Sequence, residues 1–276
     1  MNIIDIKKKA DELYKKNKEQ IIPHFFFVGY MSLLAQYLQS GLFSFFVAIF
    51  MCSMSHGYVK CAMKIVNEEK PQLTTEDSLI GILQFSRVFS VYFVRKIMVV
   101  IVVGLSLLPT LLSFTYITPL FTIDWIAEAG NTLIQTELFV PSAEIILPLM
   151  QNSPLIVNAF LSGVLYLLLN SLLSYMPYIM EEDEFSWSEA LYKSISMMKG
   201  RLLRMVHLYL SYGLRYINYW IISGFIAIVV GSINEVLMLV CLVSSLFFYI
   251  DVVKGRIEIA KYLLYKEFVK EDENNE

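Results

Sequence analysis

Long apolar runs separated by short polar stretches dominate the chain. Six such runs fall at 21–39, 42–60, 90–118, 155–177, 206–231 and 235–252. A helix of about 20 residues matches the hydrocarbon core of a bilayer, which is about 30 Å thick. The pattern therefore predicts an all-α polytopic transmembrane bundle of six spans in a single integral membrane domain. Pro109 predicts a kink or an early end in the third span.

The polar segments complete this predicted layout. Residues 1–20 place Ile3, Ile6, Ala10, Leu13 and Tyr14 on one helical face, which favours an amphipathic helix lying on the membrane surface over a solvated charged tail. The remaining segments are two cytoplasmic linkers with amphipathic helices, a long outer loop and a charged tail that is helical near the membrane. They span 61–88, 178–205, 120–153 and 253–276, respectively.

The distribution of basic residues tests the predicted membrane topology independently. Residues 1–20 and 60–96 hold six Lys and Arg each, and 193–215 and 254–270 hold five each, which accounts for all 22. Cytoplasmic loops of membrane proteins are enriched in Lys and Arg. Six spans place all four segments on one side, whereas five or seven would not. Both termini are therefore predicted to be cytoplasmic, in a bacterial cytoplasmic membrane.

Composition limits the classes of function and of binding site that the chain is expected to have. Apolar residues make up 57% of the chain and charged residues 17%, and the net charge of −3 gives no support for nucleic-acid binding. Three cysteines and three histidines without ligand-like spacing predict neither a disulfide framework nor a metal site. No cofactor is expected.

The two linkers resemble each other at an offset of 113 residues. Glu68-Glu69 matches Glu181-Glu182, Thr75-Glu76 matches Ser188-Glu189, and Ile82 matches Ile195. Each linker has an acidic start followed by a Ser or Thr that can cap a short helix. The pattern is consistent with a parallel duplication of helix, linker helix and helix, or with chance similarity between two amphipathic linkers.

The fourth span carries a polar stripe. Polar side chains recur there at steps of four residues: Asn158, Ser162, Tyr166, Asn170 and Ser174. Polar groups in hydrocarbon need partners, so the stripe is expected to face the bundle interior. It can line a polar path for a substrate or supply ordinary hydrogen bonds between helices, and we favour the second interpretation.

His56 and the arginines of 201–215 are further candidates. His56 lies near the cytoplasmic end of the second span, where a proton relay or, preferably, a satisfied interfacial histidine is expected. Arg215 falls near mid-membrane if the fifth span covers 206–226. Alternatively, 201–215 is a basic surface helix followed by a span at 216–233. We favour this alternative, in which Arg201, Arg204 and Arg215 meet anionic lipid headgroups.

Enzyme signatures are weak. Ser196 and Lys199 fit an S-x-x-K spacing but lack its companion motifs, and Glu181-Glu182 lacks the arginine and histidines of intramembrane proteases with paired glutamates. There is no P-loop and no H-E-x-x-H motif. A non-enzymatic protein is predicted.

The second linker carries a family resemblance. The runs Ser188–Ser194, Met197–Gly200 and Leu208–Tyr212 resemble the pattern of a bacterial six-helix integral membrane family, domain of unknown function 975. The basic start and Gly57-Tyr58 before an acidic linker are also similar, whereas residues 213–216 depart from the pattern. The resemblance implies a topology and no activity. A looser similarity, to the membrane domains of some glycerophosphodiester phosphodiesterases, suggests a helper role.

Two functions follow as hypotheses. The first is a component or accessory subunit of an envelope or transport assembly, with Glu189 and Lys199 on a partner-facing linker and with membrane lipids, a membrane protein or a second copy as partners. The second is a transporter or lipid-translocating protein that uses the polar stripe, in which changes at Asn158, Asn170 or Arg215 would abolish function.

Overall fold

The computed structural model describes residues 2–37, 52–117, 153–183, 185–231 and 244–274. Nearly all of the predicted outer loop 120–153, the break at 39–41 and large parts of the spans 42–60 and 235–252 lie outside the described residues. Within the described ranges all regular structure is helical, which confirms the all-α class. A π-helical turn, Ile250–Lys254, precedes the last helix. The α-helices are α1 Ile3–Lys16, α2 Lys18–Tyr37, α3 His56–Asn67, α4 Thr75–Leu83, α5 Phe85–Ile117, α6 Ser153–Leu172, α7 Met176–Asp183, α8 Trp187–Met198, α9 Leu202–Gly231 and α10 Gly255–Glu273.

Two helical segments within the described ranges are long and apolar enough to cross a membrane, Phe85–Ser106 and Phe160–Asp183. Only 28% and 39% of their most apolar windows are buried inside the protein. A core helix of a soluble protein would be mostly buried. Large exposed apolar side chains lie on α5, α6 and α9, among them Ile101, Leu105, Phe160, Leu161, Leu214 and Ile221.

Several helix boundaries differ from the sequence prediction. The turns at 53–55 and 173–175 interrupt the predicted spans 42–60 and 155–177. Helix α5 starts at Phe85 and continues past Pro109 to Ile117, so this proline does not end it. Helix α9 is one continuous helix from Leu202 to Gly231, so Arg204, Arg215 and most of the predicted span 216–233 belong to one element. Its length of about 45 Å exceeds the thickness of the hydrocarbon core of a bilayer, about 30 Å.

The predicted C-terminal tail lies at the centre of the structure. Helix α10 packs against α1, α3 and α9, and its side chains are buried on nearly all sides. Ile257, Ile259, Leu264 and Phe268 are almost fully enclosed. A solvated tail would not bury an apolar surface of this kind. Helix α10 is therefore the core helix of a polar layer, here called the linker–tail layer, which consists of α1, α3, α4, α7, α8 and α10.

Helix α1 also belongs to this layer. Its apolar residues Ile3, Ile6, Ala10 and Tyr14 are buried, and the helix packs along α10. The sequence predicts that this face lies on a lipid surface, but in the structure the protein itself covers it. Helix α1 is amphipathic as predicted, but its apolar face packs against helix α10 and not against lipid. The buried apolar side chains of α10 can cover this face as well as lipid can.

The two linkers have the same order of elements. In each, a turn at 53–55 or 173–175 leads into a short helix, then a helix with an N-terminal capping box, and then a long apolar helix. The capping residues are Thr74 with Asp77, and Ser186 with Glu189. These capping boxes are 112 residues apart. At the offset of 113, three buried pairs align: Gly81 with Ser194, Tyr92 with Met205, and Val99 with Tyr212. The similarity between the linkers thus extends from sequence to packing.

A close backbone approach fixes helix α4 against the first turn. A Cβ atom added to Gly81 would overlap the Ser53 carbonyl oxygen, and one added to Gly57 would overlap the Ser78 carbonyl oxygen. Glycine is required at both positions because the neighbouring atoms belong to the backbone and cannot turn away. In the second linker the matching Ser194 hydroxyl donates a hydrogen bond to the Leu172 carbonyl at 2.8 Å.

Replacing Gly81 by alanine tests this packing. We expect Gly81→Ala to lower the thermal unfolding midpoint of the detergent-purified protein, because overpacking costs about 1–3 kcal/mol. Gly104→Ala is the matched control, since a Cβ there meets nothing within 4 Å. Alanine in an open helical position is neutral or stabilising by up to about 1 kcal/mol. Equal midpoints for the two variants would contradict the close approach.

Candidate functional site

A buried ion cluster joins the two linkers. Helix α3 places His56 and Lys60 one turn apart, and helix α7 brings Glu181 against both. His56 Nε2 lies 3.1 Å from Glu181 Oε2, and the Lys60 ammonium donates to Glu181 Oε1. The His56 side chain is fully buried, and that of Glu181 is 6% exposed. Residues 125 positions apart in the chain therefore share one carboxylate.

Helix α5 closes the other side of this cluster. The Tyr92 hydroxyl lies 3.3 Å from His56 Nδ1, and Arg87 donates to the Met180 carbonyl oxygen. A carboxylate only accepts hydrogen bonds, so Nε2 carries the imidazole proton and Nδ1 accepts from Tyr92. A neutral imidazole satisfies both ring nitrogens in this arrangement.

A second cluster surrounds Glu258 on α10. Its carboxylate lies 3.1 Å from the Lys254 ammonium and 2.8 Å from that of Lys261, and it accepts a 3.0 Å hydrogen bond from the Tyr178 hydroxyl. The three charged residues are at most 8% exposed. Buried charges persist only when paired and hydrogen-bonded, so this cluster fixes α10 against α7.

The three acidic residues at the start of the second linker each contact a different helix. Glu181 contacts α3, Glu182 accepts a hydrogen bond from Tyr262 on α10, and Asp183 pairs with Lys193 on α8 at 2.7 Å. Asn67 at the end of α3 donates to the Tyr262 hydroxyl at 2.8 Å. Burial and the hydrogen bond to Glu182 raise the pKa of Tyr262, so the phenol stays protonated.

In the first linker, Asp77 combines helix capping with an ion pair. Its carboxylate accepts hydrogen bonds from the backbone and hydroxyl of Thr74 and lies 2.8 Å from the Lys64 ammonium. Burial favours the neutral acid, but the hydrogen bonds from Lys64 and Thr74 outweigh it and lower the pKa of Asp77. The stabilisation that this carboxylate provides is therefore present at neutral pH and is lost as pH falls through its lowered pKa.

The polar stripe of the fourth span lies on α6 and its end. Ser162 Oγ lies 2.8 Å from Ser106 Oγ, and Asn170 Oδ1 accepts a hydrogen bond from Arg95, so both residues join α6 to α5. Ser174 Oγ donates to the Ser171 carbonyl at 2.8 Å, within its own turn. Asn158 lies half-buried on α6.

The three arginines form ion pairs with carboxylates at the two ends of the chain. Arg201 pairs with Glu271 and Asp272, and Arg204 pairs with Glu271 at 2.6 Å. Arg215 makes a two-pronged contact with Asp11 of α1, at 3.1 and 2.9 Å. All three side chains remain partly exposed. A contact of these arginines with lipid headgroups stays a prediction.

The two candidate partner-facing residues lie at the ends of α8. Glu189 accepts hydrogen bonds from the backbone and hydroxyl of Ser186, which lower the pKa of its exposed carboxyl group. Lys199 is exposed at the C-cap. Between them Tyr192 is 78% exposed. A groove of about 520 Å³ follows this face, lined by Phe185, Ser188, Glu189, Tyr192, Lys193 and Ser196.

The candidate residues predicted from the sequence do not include Glu258, Lys254, Lys261 or Tyr178. The spacing of Lys254, Glu258 and Lys261 places them on one helical face, and the apolar residues between them are too dense for a solvated tail. Within the described ranges no three His, Cys, Asp or Glu side chains are arranged to hold a metal ion. The His56–Glu181 cluster pairs charges across two helices, and the Glu258 cluster pairs them within one helical segment.

Removing the Tyr178 hydroxyl tests the Glu258 cluster. We expect Tyr178→Phe to destabilise the protein by about 1–3 kcal/mol, because a buried carboxylate loses a hydrogen-bond donor. Tyr192→Phe removes an exposed hydroxyl on α8 and serves as the control, with an expected change within about 0.5 kcal/mol. Chemical unfolding of the purified protein measures both. A neutral Tyr178→Phe would show that Glu258 does not depend on this bond.

Comparison of the chain with protein-family models, curated proteins and solved structures finds no match in any of the three. The resemblance to domain of unknown function 975 therefore stays a prediction.

Proposed function

We propose that the protein is a non-enzymatic integral membrane protein of the bacterial cytoplasmic membrane, acting as a component or accessory subunit of an envelope or transport assembly. It crosses the bilayer six times with both termini in the cytoplasm. The exposed apolar faces of α5, α6 and α9 beside a charged linker–tail layer support a membrane location. Such faces are stable in lipid and costly in water.

The meeting of all four basic segments in one layer carries the proposed topology. Arg215 pairs with Asp11, Arg204 with Glu271, and Lys60 with Glu181. Helix α1 packs on α10, and α10 packs on α3. Segments that contact one another lie on the same side of a bilayer, so an even number of crossings separates each from the next. Each of the three intervals holds two of the predicted apolar runs, and two crossings in each give six, in agreement with the positive-inside rule.

The proposed subunit role depends on which charged groups are paired inside the protein and which surface stays accessible to a partner. The carboxylates of the ion clusters are engaged with bases inside the linker–tail layer and hold helices together. A groove along α8 is accessible on this layer, with exposed Trp187, Tyr192 and Ile195 near it. Aromatic side chains are enriched where proteins bind partners. This face suits another membrane protein or a second copy of the chain.

The alternative function is a transporter or lipid-translocating protein with a polar path along α6. The observation that favours it is the contact of Arg95 with Asn170, because Arg95 lies within the apolar segment Phe85–Ser106. Charged groups inside membrane segments commonly mark ion or substrate pathways. The subunit hypothesis treats the same contact as a hydrogen bond between packed helices.

Thiol labelling in intact cells tests the topology. We expect Asn131→Cys, in the segment 120–153, to react with a membrane-impermeant maleimide added outside, and Lys70→Cys in the first linker to react only after permeabilisation. The native Cys52 and Cys61 are buried, and the third native thiol, Cys241, is replaced by serine in both variants. Labelling of Lys70→Cys in intact cells would contradict the six-span arrangement.

Purification in mild detergent separates the two functions. The subunit hypothesis expects a stoichiometric protein partner that is lost in Tyr192→Ala and retained in Asn170→Ala and in the control Lys70→Ala. Both α8 and α6 variants must remain folded by size-exclusion chromatography. Transport instead expects a protein without partners that carries a reproducible lipid or small molecule, lost in Asn170→Ala and retained in Tyr192→Ala. The second pattern would overturn the subunit role.

A further inference from the structure

The His56–Glu181 cluster has a charge balance that depends on one proton. The charged and titratable groups around the imidazole are Lys60 on its own helix α3, Arg87 and Tyr92 on α5, and Glu181 on α7. With a neutral imidazole, two cations face one carboxylate. With a protonated imidazole, three cations share that single carboxylate, at a site where the His56 side chain has no solvent exposure.

Proton uptake also disrupts the hydrogen bonds of the ring. In the neutral form Nε2 donates to Glu181 and Nδ1 accepts from Tyr92, as the chemistry of the carboxylate requires. A proton on Nδ1 turns it into a donor, so the Tyr92 hydroxyl must rotate to accept. Burial of excess positive charge is unfavourable because water cannot solvate it.

We infer that His56 is a proton-sensitive latch between the two linkers: proton uptake by its imidazole weakens the contact of α3 with α7. The latch lies where the two halves of the linker–tail layer meet, because α3 comes from the first linker and α7 from the second. A histidine in water takes up a proton near pH 6.5, so the latch is closed at neutral pH and weakens as pH falls below that value. This inference goes beyond the proposed subunit role and does not depend on it.

Thermal unfolding of the full-length protein in detergent between pH 8 and pH 5.5 tests the latch. As the pH falls below 6.5, we expect the unfolding midpoint of the wild type to decrease by about 2–4 °C per pH unit, which is the slope for one linked proton. His56→Gln is expected to lose most of this slope, because glutamine can still donate to Glu181 and does not titrate. His207→Gln, at an exposed histidine, is the matched control and keeps the wild-type slope.

A second variant, Lys60→Met, tests the same inference if His56→Gln does not fold. Lys60→Met removes one cation and leaves Glu181 to pair with a protonated His56, so the slope is expected to be at most half that of the wild type. Hydrogen exchange of peptides covering 56–67 and 176–183, corrected for the intrinsic pH dependence, should rise on acidification in the wild type and less in Lys60→Met. A wild-type slope in both His56→Gln and Lys60→Met would overturn the latch, as would unchanged exchange in these peptides.

Discussion

Pairing of buried charge is the constraint on which the linker–tail layer depends. Glu181 and Glu258 are enclosed, and each is held by two bases and supported by a hydroxyl group nearby. An enclosed carboxylate without such partners would cost several kcal/mol. Both bases of Glu181 come from α3, whereas those of Glu258 come from its own helical segment and its hydroxyl donor, Tyr178, comes from α7. These contacts hold α7 against α3 and against α10. Apolar packing then fills the space between these contacts, with Tyr178, Tyr262 and Tyr265 stacked between α7 and α10.

The layer connects the two ends of the chain to the apolar helices. Helix α1 reaches α9 through the pair of Asp11 with Arg215, and the end of α10 reaches the start of α9 through Glu271 and Asp272. The π-helical turn at Ile250–Lys254 adds a further connection, because Asp251 pairs with Lys18 at the start of α2. The basic segments thus find their counter-charges mainly in segments far away in sequence. This arrangement pairs opposite charges inside the layer, and the chain as a whole has 22 basic and 25 acidic residues.

The two linkers share one arrangement of structural elements. Each linker uses a turn, a short helix and a capped helix to return the chain to a long apolar helix. The two capping boxes fix where α4 and α8 begin, and a small residue, Gly81 or Ser194, lets each capped helix approach the preceding turn. The halves differ in what covers them. Helix α4 packs against α2, α3 and α5 and leaves Leu83 exposed, whereas α8 has a groove along its open face.

The sequence alone determined the helical class, a capped helix in each linker, and the apolar runs 90–118 and 155–177, which overlap the membrane-length segments Phe85–Ser106 and Phe160–Asp183. These features depend on local periodicity and on cap residues three positions apart, which one helix encodes by itself. The tertiary structure decided what the polar residues do. It placed a charged C-terminal segment at the core, covered the apolar face of α1 with protein, and brought His56 to Glu181. Helical spacing specifies which residues share a face of one helix, but not which distant helix will cover that face. Contacts across 125 or more residues depend on packing of the whole layer.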